Sequence, residues 1–467
     1  MIKHTFFLDQ HGCAKNQVDG ELLMSRLQAM GLERVDDAAD AELIIINSCG
    51  FIESAKQESL ASLMDARSAY PEAKILLAGC LAERYAEVFK EELPEADGIF
   101  GNGDLSRIDA VVKSLFDGER PVLCPPQKGV CCGDRDMLLS FKGSVYVKIT
   151  EGCNNCCSFC AIPLIRGSLR SRTIAEITDE VRLLVSKGVK EINLIGQDLA
   201  AYGYGADDDI YGDGRNALQG EGNSPLRQLM EALSTIEGNF WIRLLYIHPD
   251  HFNRDILEVM KKDRRFLPYF DIPFQSGDDG IIHAMNRRGS FESYQRLIQD
   301  IREALPDSCI RTTFLTGFPG ENDEAAKNTE RFLRAIESDW SGCFCYSREE
   351  GTPAEKMKGQ VSKKLAESRA SRLQDIQAEI TMRRLRSRCG SVYDVLVEEI
   401  IENKEGGDDG LAIGRAWFDA PEVDGNIVIR YDLDDAAAVR AIVPGAMVKV
   451  KAVASSDLDV DGVYSGE

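Results

Sequence analysis

The sequence has little positive charge, few histidines and no long apolar run. Lys and Arg number 55 against 77 Asp and Glu, so the formal net charge is −22 at pH 7. This excess of acid disfavours broad electrostatic binding to nucleic acid or an anionic membrane, and it favours a basic partner such as a basic protein. No apolar run reaches the roughly 18 residues of a membrane-spanning helix. The N-terminus also lacks a signal-peptide pattern, so the sequence predicts a cytoplasmic protein with no membrane partner.

The first quarter of the chain and the segment after it differ in pattern. A length of 467 residues suggests roughly three domains at about 150 residues each. Residues 1–116 alternate apolar strands with amphipathic helices, which predicts an open parallel α/β sheet. Residues 117–138 are rich in Pro, Gly and charge, and they predict a linker.

The rest of the chain predicts a partial barrel, a helix and a small second barrel. Residues 139–360 repeat the β/α pattern as in a (β/α)6 partial TIM barrel, with a surface insertion at 203–224. Residues 361–389 predict a connecting helix with eight basic and three acidic side chains. A solvated face between domains is the favoured interpretation of this helix, and a binding face is the alternative. Residues 390–460 predict a small antiparallel β-barrel. Residues 390–467 hold 17 acidic and six basic residues, so their net charge is negative, which disfavours contact with phosphate groups.

The 14 cysteines need an explanation, because disulfides are rare in the cytoplasm. The segment EGCNNCCSFCAIP follows the first barrel strand and places Cys153, Cys157 and Cys160 in C-x3-C-x2-C spacing. Zinc usually takes four protein ligands, and neither a nearby cysteine pair nor the five histidines complete such a set. Three thiolates suit a [4Fe–4S] cluster whose open iron can bind S-adenosylmethionine and cleave it reductively, with Phe159 beside the adenine. Cys156 is an alternative ligand, but the spacing through Cys157 is favoured over it.

Three further cysteines follow the ends of predicted strands in the N-terminal domain. They are Cys13 in QHGC, Cys49 in NSCG and Cys80 in AGCL. The loops after parallel strands gather along one sheet edge, so these thiols could converge. Small residues packed at strand ends are the alternative. The irregular linker holds three cysteines that are better interpreted as bystanders: Cys124, Cys131 and Cys132.

Ordered motifs cover most of the chain: GCAKNQVDGE, NSCGFIESA, GCLAERY, EGCNNCCSFC, AIPLIRGSLRSR, LIGQDLAAYG, YFDIPFQS, FLTGFPGE and YSREEGTPA. Together they resemble the radical S-adenosylmethionine methylthiotransferases. The resemblance implies a C-terminal TRAM domain and a second [4Fe–4S] cluster on Cys13, Cys49 and Cys80. These motifs are similar to those of the branch that methylthiolates the β-carbon of an aspartate in small-subunit ribosomal protein twelve (RimO type). The branch that modifies a transfer-RNA adenosine (MiaB type) is the alternative, and the acidic barrel favours the basic ribosomal protein.

The resemblance also implies cofactors, partners and a radical mechanism. No side-chain base removes the proton of an unactivated C–H bond at a useful rate, so a deoxyadenosyl radical would remove the hydrogen atom. The cofactors would be two [4Fe–4S] clusters and S-adenosylmethionine, with a second S-adenosylmethionine supplying the methyl group. The partners would be ribosomal protein twelve, free or within the subunit, and a reductant such as a flavodoxin or ferredoxin. A cluster-bearing scaffold without activity is the non-enzymatic alternative.

Several polar groups near strand ends are candidates to hold S-adenosylmethionine. Gln197, Arg243 and Gly317 suit its amino-acid or ribose part; a turn amide, a structural ion pair and a turn glycine are the alternatives. His248 and His251 follow the third barrel strand, where surface or satisfied core histidines are more common than ligands. The chain departs from the family pattern at three positions, none of them a cluster ligand: Gly20 replaces a serine, Ser276 replaces a histidine, and Cys156 is additional.

Overall fold

The computed structural model describes residues 4–127, 129–133, 135–204, 222–402 and 409–466. Two six-stranded sheets and one closed barrel follow one another along these residues. Among the described helices, none combines the length and the apolar character that crossing a bilayer requires. Most of the predicted insertion at 203–224 lies outside the described residues.

The N-terminal sheet is parallel throughout. Its strands are β1 (Thr5–Gln10), β2 (Glu33–Arg34), β3 (Leu43–Ser48), β4 (Lys74–Gly79), β5 (Gly98–Phe100) and β6 (Val122–Leu123), in the order β2-β1-β3-β4-β5-β6. Its helices are α1 (Ala14–Ala29), α2 (Glu53–Ala69), α3 (Cys80–Glu92) and α4 (Ile108–Phe116). Both central strands, LIIINS and KILLAG, are almost wholly buried, because helices cover both faces of a parallel sheet. The segment interpreted as a linker supplies the edge strand β6.

The central sheet is also parallel, and it does not close. Its strands are β7 (Ser144–Lys148), β10 (Glu191–Ile195), β11 (Trp241–Leu244), β12 (Phe266–Asp271), β13 (Cys309–Thr316) and β14 (Trp340–Cys345), in the order β14-β13-β12-β11-β10-β7. A short hairpin, β8 (Thr150–Glu151) and β9 (Arg170–Ser171), follows β7. The helices are α5 (Ile162–Ile165), α6 (Ile174–Ser186), α7 (Pro225–Ser234), α8 (Ile256–Lys262), α9 (Asp279–Ala284), α10 (Phe291–Ala304) and α11 (Asp323–Ile336). This is the partial barrel that the sixfold repeat predicts.

The basic connecting helix α12 (Lys363–Arg388) packs on the partial barrel. Leu373, Ile376 and Ile380 belong to the barrel's apolar core. Five of its basic residues pair with acidic residues of α11 and the segment just after it: Arg369 with Asp323, Arg372 with Glu330, Arg383 with Glu337, and Arg384 and Arg388 with Asp339. Most of the positive charge on this helix is therefore used within the protein.

The C-terminal strands close a small barrel. They are β15 (Val392–Ile401), β16 (Asp409–Ala416), β17 (Ile427–Asp432), β18 (Met447–Ser455) and β19 (Val460–Gly466), with α13 (Ala436–Ala441) between β17 and β18. Four pairings are antiparallel, and β17 pairs with β19 in parallel to complete the ring. The strand β19 was not predicted from the sequence. Buried ion pairs join this barrel to the central sheet: Arg415 to Glu191 at 2.6 Å and Asp424 to Arg311 at 3.0 Å.

Candidate functional site

The structure brings Cys13, Cys49 and Cys80 together at one edge of the N-terminal sheet. The strands β1, β3 and β4 are neighbours, and each of these cysteines follows the carboxyl end of one of them. Asn16 ties the loops together: its Nδ2 atom donates to the carbonyl oxygens of Asn47, at 3.0 Å, and of Ser48, and its Oδ1 atom accepts from the Cys80 thiol.

Glycines allow these loops to approach so closely. Gly12 has φ +88°, and a Cβ atom there would stand 3.0 Å from the Cβ and 3.4 Å from the Sγ of Cys49. A Cβ atom at Gly50 would stand 2.7 Å from the carbonyl oxygen of Cys80. A side chain at Gly12 would collide with Cys49, and one at Gly50 would collide with the Cys80 backbone, so the two glycines allow the cysteine loops to approach one another.

Positive charge and N–H donors surround this triad of thiols. Arg166 Nη2 donates to Cys80 Sγ at 3.1 Å, and Asn102 Nδ2 donates to the same atom at 3.4 Å. Burial opposes ionisation of all three thiols. The charges of Lys15 and Arg166 outweigh it at Cys13 and lower the pKa of that thiol, whereas burial raises the pKa of Cys49 to about 12 and also raises that of Cys80. Thiolates are the form that binds iron, and hydrogen bonds to sulfur tune such clusters. The donor set therefore fits a [4Fe–4S] cluster on three cysteines.

The second triad, Cys153, Cys157 and Cys160, lies in the loop after β8. The Cys153 amide donates to the Gly167 carbonyl oxygen at 3.1 Å, and the Cys160 amide donates to the Cys157 carbonyl oxygen at 3.0 Å. Backbone hydrogen bonds therefore hold this loop in a compact turn. Burial, followed by the Cys157 thiol, raises the pKa of Cys160 to about 12. Cys156 is exposed and has φ +49°, whereas Cys157 is buried. Three clustered thiols without a disulfide again fit a three-cysteine cluster.

A buried polar network flanks Cys157. His248 Nε2 lies 3.9 Å from Cys157 Sγ, and burial lowers the pKa of His248 to about 3, so its imidazole is neutral. Asp198 accepts from the His248 amide at 3.1 Å and from Asn155 Nδ2 at 2.9 Å, and it pairs with His251 at 2.9 Å. Asp198, His248 and His251 could together hold an ion, but hydrogen bonds already use the Asp198 carboxylate. Both histidines have hydrogen-bond partners, and His248 is buried whereas His251 is half-buried.

Three of the four candidate contacts for S-adenosylmethionine lie near the carboxyl ends of barrel strands. Gln197 follows β10, and neither polar atom of its buried carboxamide has a partner among the described residues. Such a buried group can hydrogen-bond a ligand or an ordered water. Phe159 lies between Cys157 and Cys160 and packs on an apolar cluster that includes Phe318. Gly317 directly follows β13 with φ +75°.

Arg243 lies elsewhere. Its guanidinium contacts Glu191, the first residue of β10, at 2.9 Å and the Trp417 carbonyl oxygen of the small barrel at 2.9 Å, and it stacks over Tyr269. These partners occupy the amino-terminal edge of the sheet, whereas both cysteine triads follow carboxyl ends. These contacts fit a structural ion pair, which is the alternative to a contact between Arg243 and S-adenosylmethionine.

The departures from the family pattern have local explanations. A Cβ atom at Gly20 would stand 2.4 Å from Gln10 Oε1, so the Gln10 side chain fills the space a serine would need. Ser276 Oγ accepts from the Asp278 amide at 3.1 Å and contacts Thr329. Both positions therefore have structural partners.

The linker cysteines stay outside both triads among the described residues. Cys124 Sγ faces the Ala82 carbonyl oxygen and Cys131 Sγ the Asn102 carbonyl oxygen, and Cys132 is exposed.

Sequence reasoning missed three residues at this site: Lys15, Arg166 and Tyr246. Arg166 lies in AIPLIRG just after the second triad, and Lys15 follows Cys13 by two positions, so proximity to the motifs was the available signal. Lys15 Nζ stands 3.3 Å from the centroid of the Tyr246 ring. That contact joins chain positions far apart and has no local signature.

Three family profiles match successive parts of the chain. Residues 5–101 match the family described as "Uncharacterized protein family UPF0004", residues 147–333 the radical SAM superfamily, and residues 389–464 the TRAM domain. The matched regions contain the first triad, the second triad and the small barrel respectively.

Relatives match over almost the whole chain. The "Ribosomal protein uS12 methylthiotransferase RimO" of Treponema denticola is 50% identical over 98% of this chain and 100% of that protein. The protein of the same name from Natranaerobius thermophilus is 37% identical over 98% of each chain. Among solved structures, the radical S-adenosylmethionine methyltransferase TsrM of Kitasatospora setae matches with a TM-score of 0.52 and 13% identity over 76% of this chain and 74% of that one, which shows the shared fold.

Proposed function

The chain belongs to the family of ribosomal protein uS12 methylthiotransferases, and from this premise we propose that it methylthiolates the β-carbon of an aspartate in uS12. It is a radical S-adenosylmethionine enzyme, and its cofactors are S-adenosylmethionine and [4Fe–4S] clusters.

One observation supports this function above the others: two separate cysteine triads lie at carboxyl ends of parallel strands and are linked through Arg166. We propose that Cys153, Cys157 and Cys160 hold the cluster that binds S-adenosylmethionine. Cys13, Cys49 and Cys80 are proposed to hold the second cluster. A scaffold without activity would have no use for two such sites.

The clusters and S-adenosylmethionine, when bound, supply the electron, the radical that removes a hydrogen atom, and the sulfur and methyl groups. The protein's own residues bind and orient. We propose that the orphan carboxamide of Gln197 hydrogen-bonds the cofactor, that Phe159 packs beside its adenine, and that the Gly317 turn lies against its amino-acid or ribose part. The missing side chain at Gly317 makes room for Ala366 of α12. Arg243 is left out of this set, because Glu191 and Trp417 occupy its guanidinium. His248 packs beside Cys157, with its Nε2 atom 3.9 Å from the sulfur.

The charge distribution favours a protein substrate over transfer RNA. The small barrel is strongly acidic, and ribosomal proteins are basic. Six of the eight basic residues of α12 are already paired with acidic residues. We further propose a flavodoxin- or ferredoxin-type reductant and a cytoplasmic reaction on uS12, free or within the small subunit.

The test offers both substrates to one enzyme. The full chain is reconstituted anaerobically with iron and sulfide, then given S-adenosylmethionine and reductant. One tube receives a peptide of the uS12 target loop and another receives transfer RNA, and both are followed by mass spectrometry. A methylthio group on the peptide aspartate is the expected result, and a methylthio group on an adenosine alone would overturn the substrate assignment.

A further inference from the structure

Lys15 is a cation beside the first triad that pairs with no carboxylate among the described residues, although the charge of the Cys13 thiol acts on it. It is only partly exposed, in the first turn of α1. Within the described part of the chain, its ammonium forms no ion pair and no hydrogen bond, and it lies 3.3 Å from the centroid of the Tyr246 ring. A cation withdrawn from water is costly unless an anion compensates it.

The neighbouring cations differ in this respect. Arg166 and Lys148 both pair with Asp19 and Glu151, and the Lys148 to Asp19 distance is 2.5 Å. Arg311 pairs with Asp424 at 3.0 Å. Lys15 differs from these cations: it is half-buried, and no carboxylate among the described residues pairs with it.

The Lys15–Tyr246 contact lies between the two triads. Lys15 is two residues after Cys13, and Tyr246 is two residues before His248, which lies 3.9 Å from Cys157 Sγ. Tyr246 has φ +68°, a left-handed conformation that a residue with a side chain adopts at an energetic cost. The Leu199 amide donates to the Tyr246 carbonyl oxygen at 3.0 Å and helps to hold this conformation.

Burial lowers the pKa of Lys15, and the charge of Asp271 on the barrel partly offsets this, but Asp271 forms its ion pair with another cation. The Asp271 carboxylate, at the end of β12, lies 3.9 Å from Arg311. A carboxylate brought by the substrate could approach Lys15 without displacing an existing ion pair.

We propose that Lys15 binds the side-chain carboxylate of the target aspartate and that Tyr246 fixes the ammonium by a cation–π contact. This inference rests on the proposed function and deepens it. The carboxylate is bonded to the β-carbon, so holding it on Lys15 places the reacting C–H bond between the two triads. The same contact discriminates against an asparagine or a nucleobase, because neither carries a negative charge that can pair with the Lys15 ammonium.

The test measures discrimination between two substrates. Dissociation constants of the uS12 target-loop peptide and of its Asp→Asn counterpart are measured with the reconstituted full chain and S-adenosylmethionine. We expect the wild-type enzyme to prefer aspartate by about 10- to 100-fold. Lys15→Gln should bind both peptides equally, Lys15→Arg should keep part of the preference, and the exposed-site control Lys113→Gln should keep all of it.

An unchanged preference of Lys15→Gln for the aspartate peptide overturns the inference while leaving the methylthiotransferase function intact. Equal weakening of both peptides by Lys15→Gln also overturns it, because a structural role would have that effect. Iron content, and S-adenosylmethionine cleavage without peptide, show whether the variant still holds its clusters. If iron is lost, Tyr246→Leu is measured instead, and it should reduce the preference. A wild-type enzyme that neither binds nor modifies the aspartate peptide overturns the proposed function and this inference together.

Discussion

Arg166 Nη2 donates a hydrogen bond to Cys80 Sγ at 3.1 Å. Arg166 follows the second triad in the central sheet, whereas Cys80 belongs to the first triad in the N-terminal sheet. Its Nη1 atom pairs with Asp19 and Glu151, and Lys148 pairs with the same two carboxylates. One buried network of charges therefore fixes the two cysteine sites relative to each other.

Replacing Arg166 should damage this network and the first cluster together. Arg166→Met leaves Asp19 and Glu151 with one cation between them, and breaking a buried pair costs about 3–5 kcal/mol. We expect that loss in the free energy of unfolding, measured by urea titration, and a changed electron paramagnetic resonance signal of the first cluster. The control Arg182→Met removes a surface pair with Asp179, worth about 0–1 kcal/mol at most. Equal losses in the two variants would contradict the account.

Gly79 should tolerate no side chain. It has φ +91° and ψ −153°, and a Cβ atom would stand 2.7 Å from both Asn47 Oδ1 and the Ser48 carbonyl oxygen. Gly79→Ala should therefore displace Cys80 and lower the iron content of the first site. Gly118→Ala is the matched control: φ is +86° but the space is open, so we expect only about 1–2 kcal/mol of backbone strain and full iron content. Normal iron in Gly79→Ala would refute this argument.

Glu191 should make the docking of the small barrel pH-dependent. Burial opposes ionisation of Glu191, but Arg415 and Arg243 outweigh it and lower the pKa of its carboxyl from 4.5 to about 2. Because the folded-state pKa is depressed, ionised Glu191 stabilises the fold fully above about pH 4.5, and this contribution is lost as the pH falls toward about 2. Glu191→Gln should cost about 3–5 kcal/mol at pH 7.

The measurement is urea unfolding of the apoprotein at pH 7 and pH 3, followed by fluorescence. The stability gap between wild type and Glu191→Gln should narrow at pH 3. A gap independent of pH would show that the charge of Glu191 does not matter.

The basic residues of α12 that face away from the barrel should be dispensable. Lys363, Lys364 and Arg386 do not pair with the partial barrel among the described residues. A variant with glutamine at all three positions should keep the wild-type rate on uS12, measured by mass spectrometry. A large loss of rate would indicate that this helix contacts the substrate.

Much of the fold follows from local pattern. The strand Lys74–Gly79 is an apolar run that ends at a glycine, a pattern that the sequence shows without the structure. The approach of Cys13, Cys49 and Cys80 followed from parallel strands ending at one edge.

Other features depend on contacts between distant parts of the chain. The partners of Arg243 include Trp417, 174 residues away, so its structural role had no local signal. The strand β19 closes the small barrel by pairing in parallel with β17, which a pattern of alternating strands joined by turns does not reveal. Lys15 meets Tyr246 only after the N-terminal and central sheets dock.

The central claim is that the two cysteine triads hold separate clusters with separate tasks. The most direct measurement compares Cys13→Ala with Cys157→Ala, both reconstituted anaerobically, for iron content, S-adenosylmethionine cleavage and methylthiolation of uS12. We predict that each variant retains one cluster, about four irons. Cys13→Ala should still cleave S-adenosylmethionine but form no methylthiolated uS12, and Cys157→Ala should do neither. Full methylthiolation by Cys13→Ala would contradict the two-cluster account.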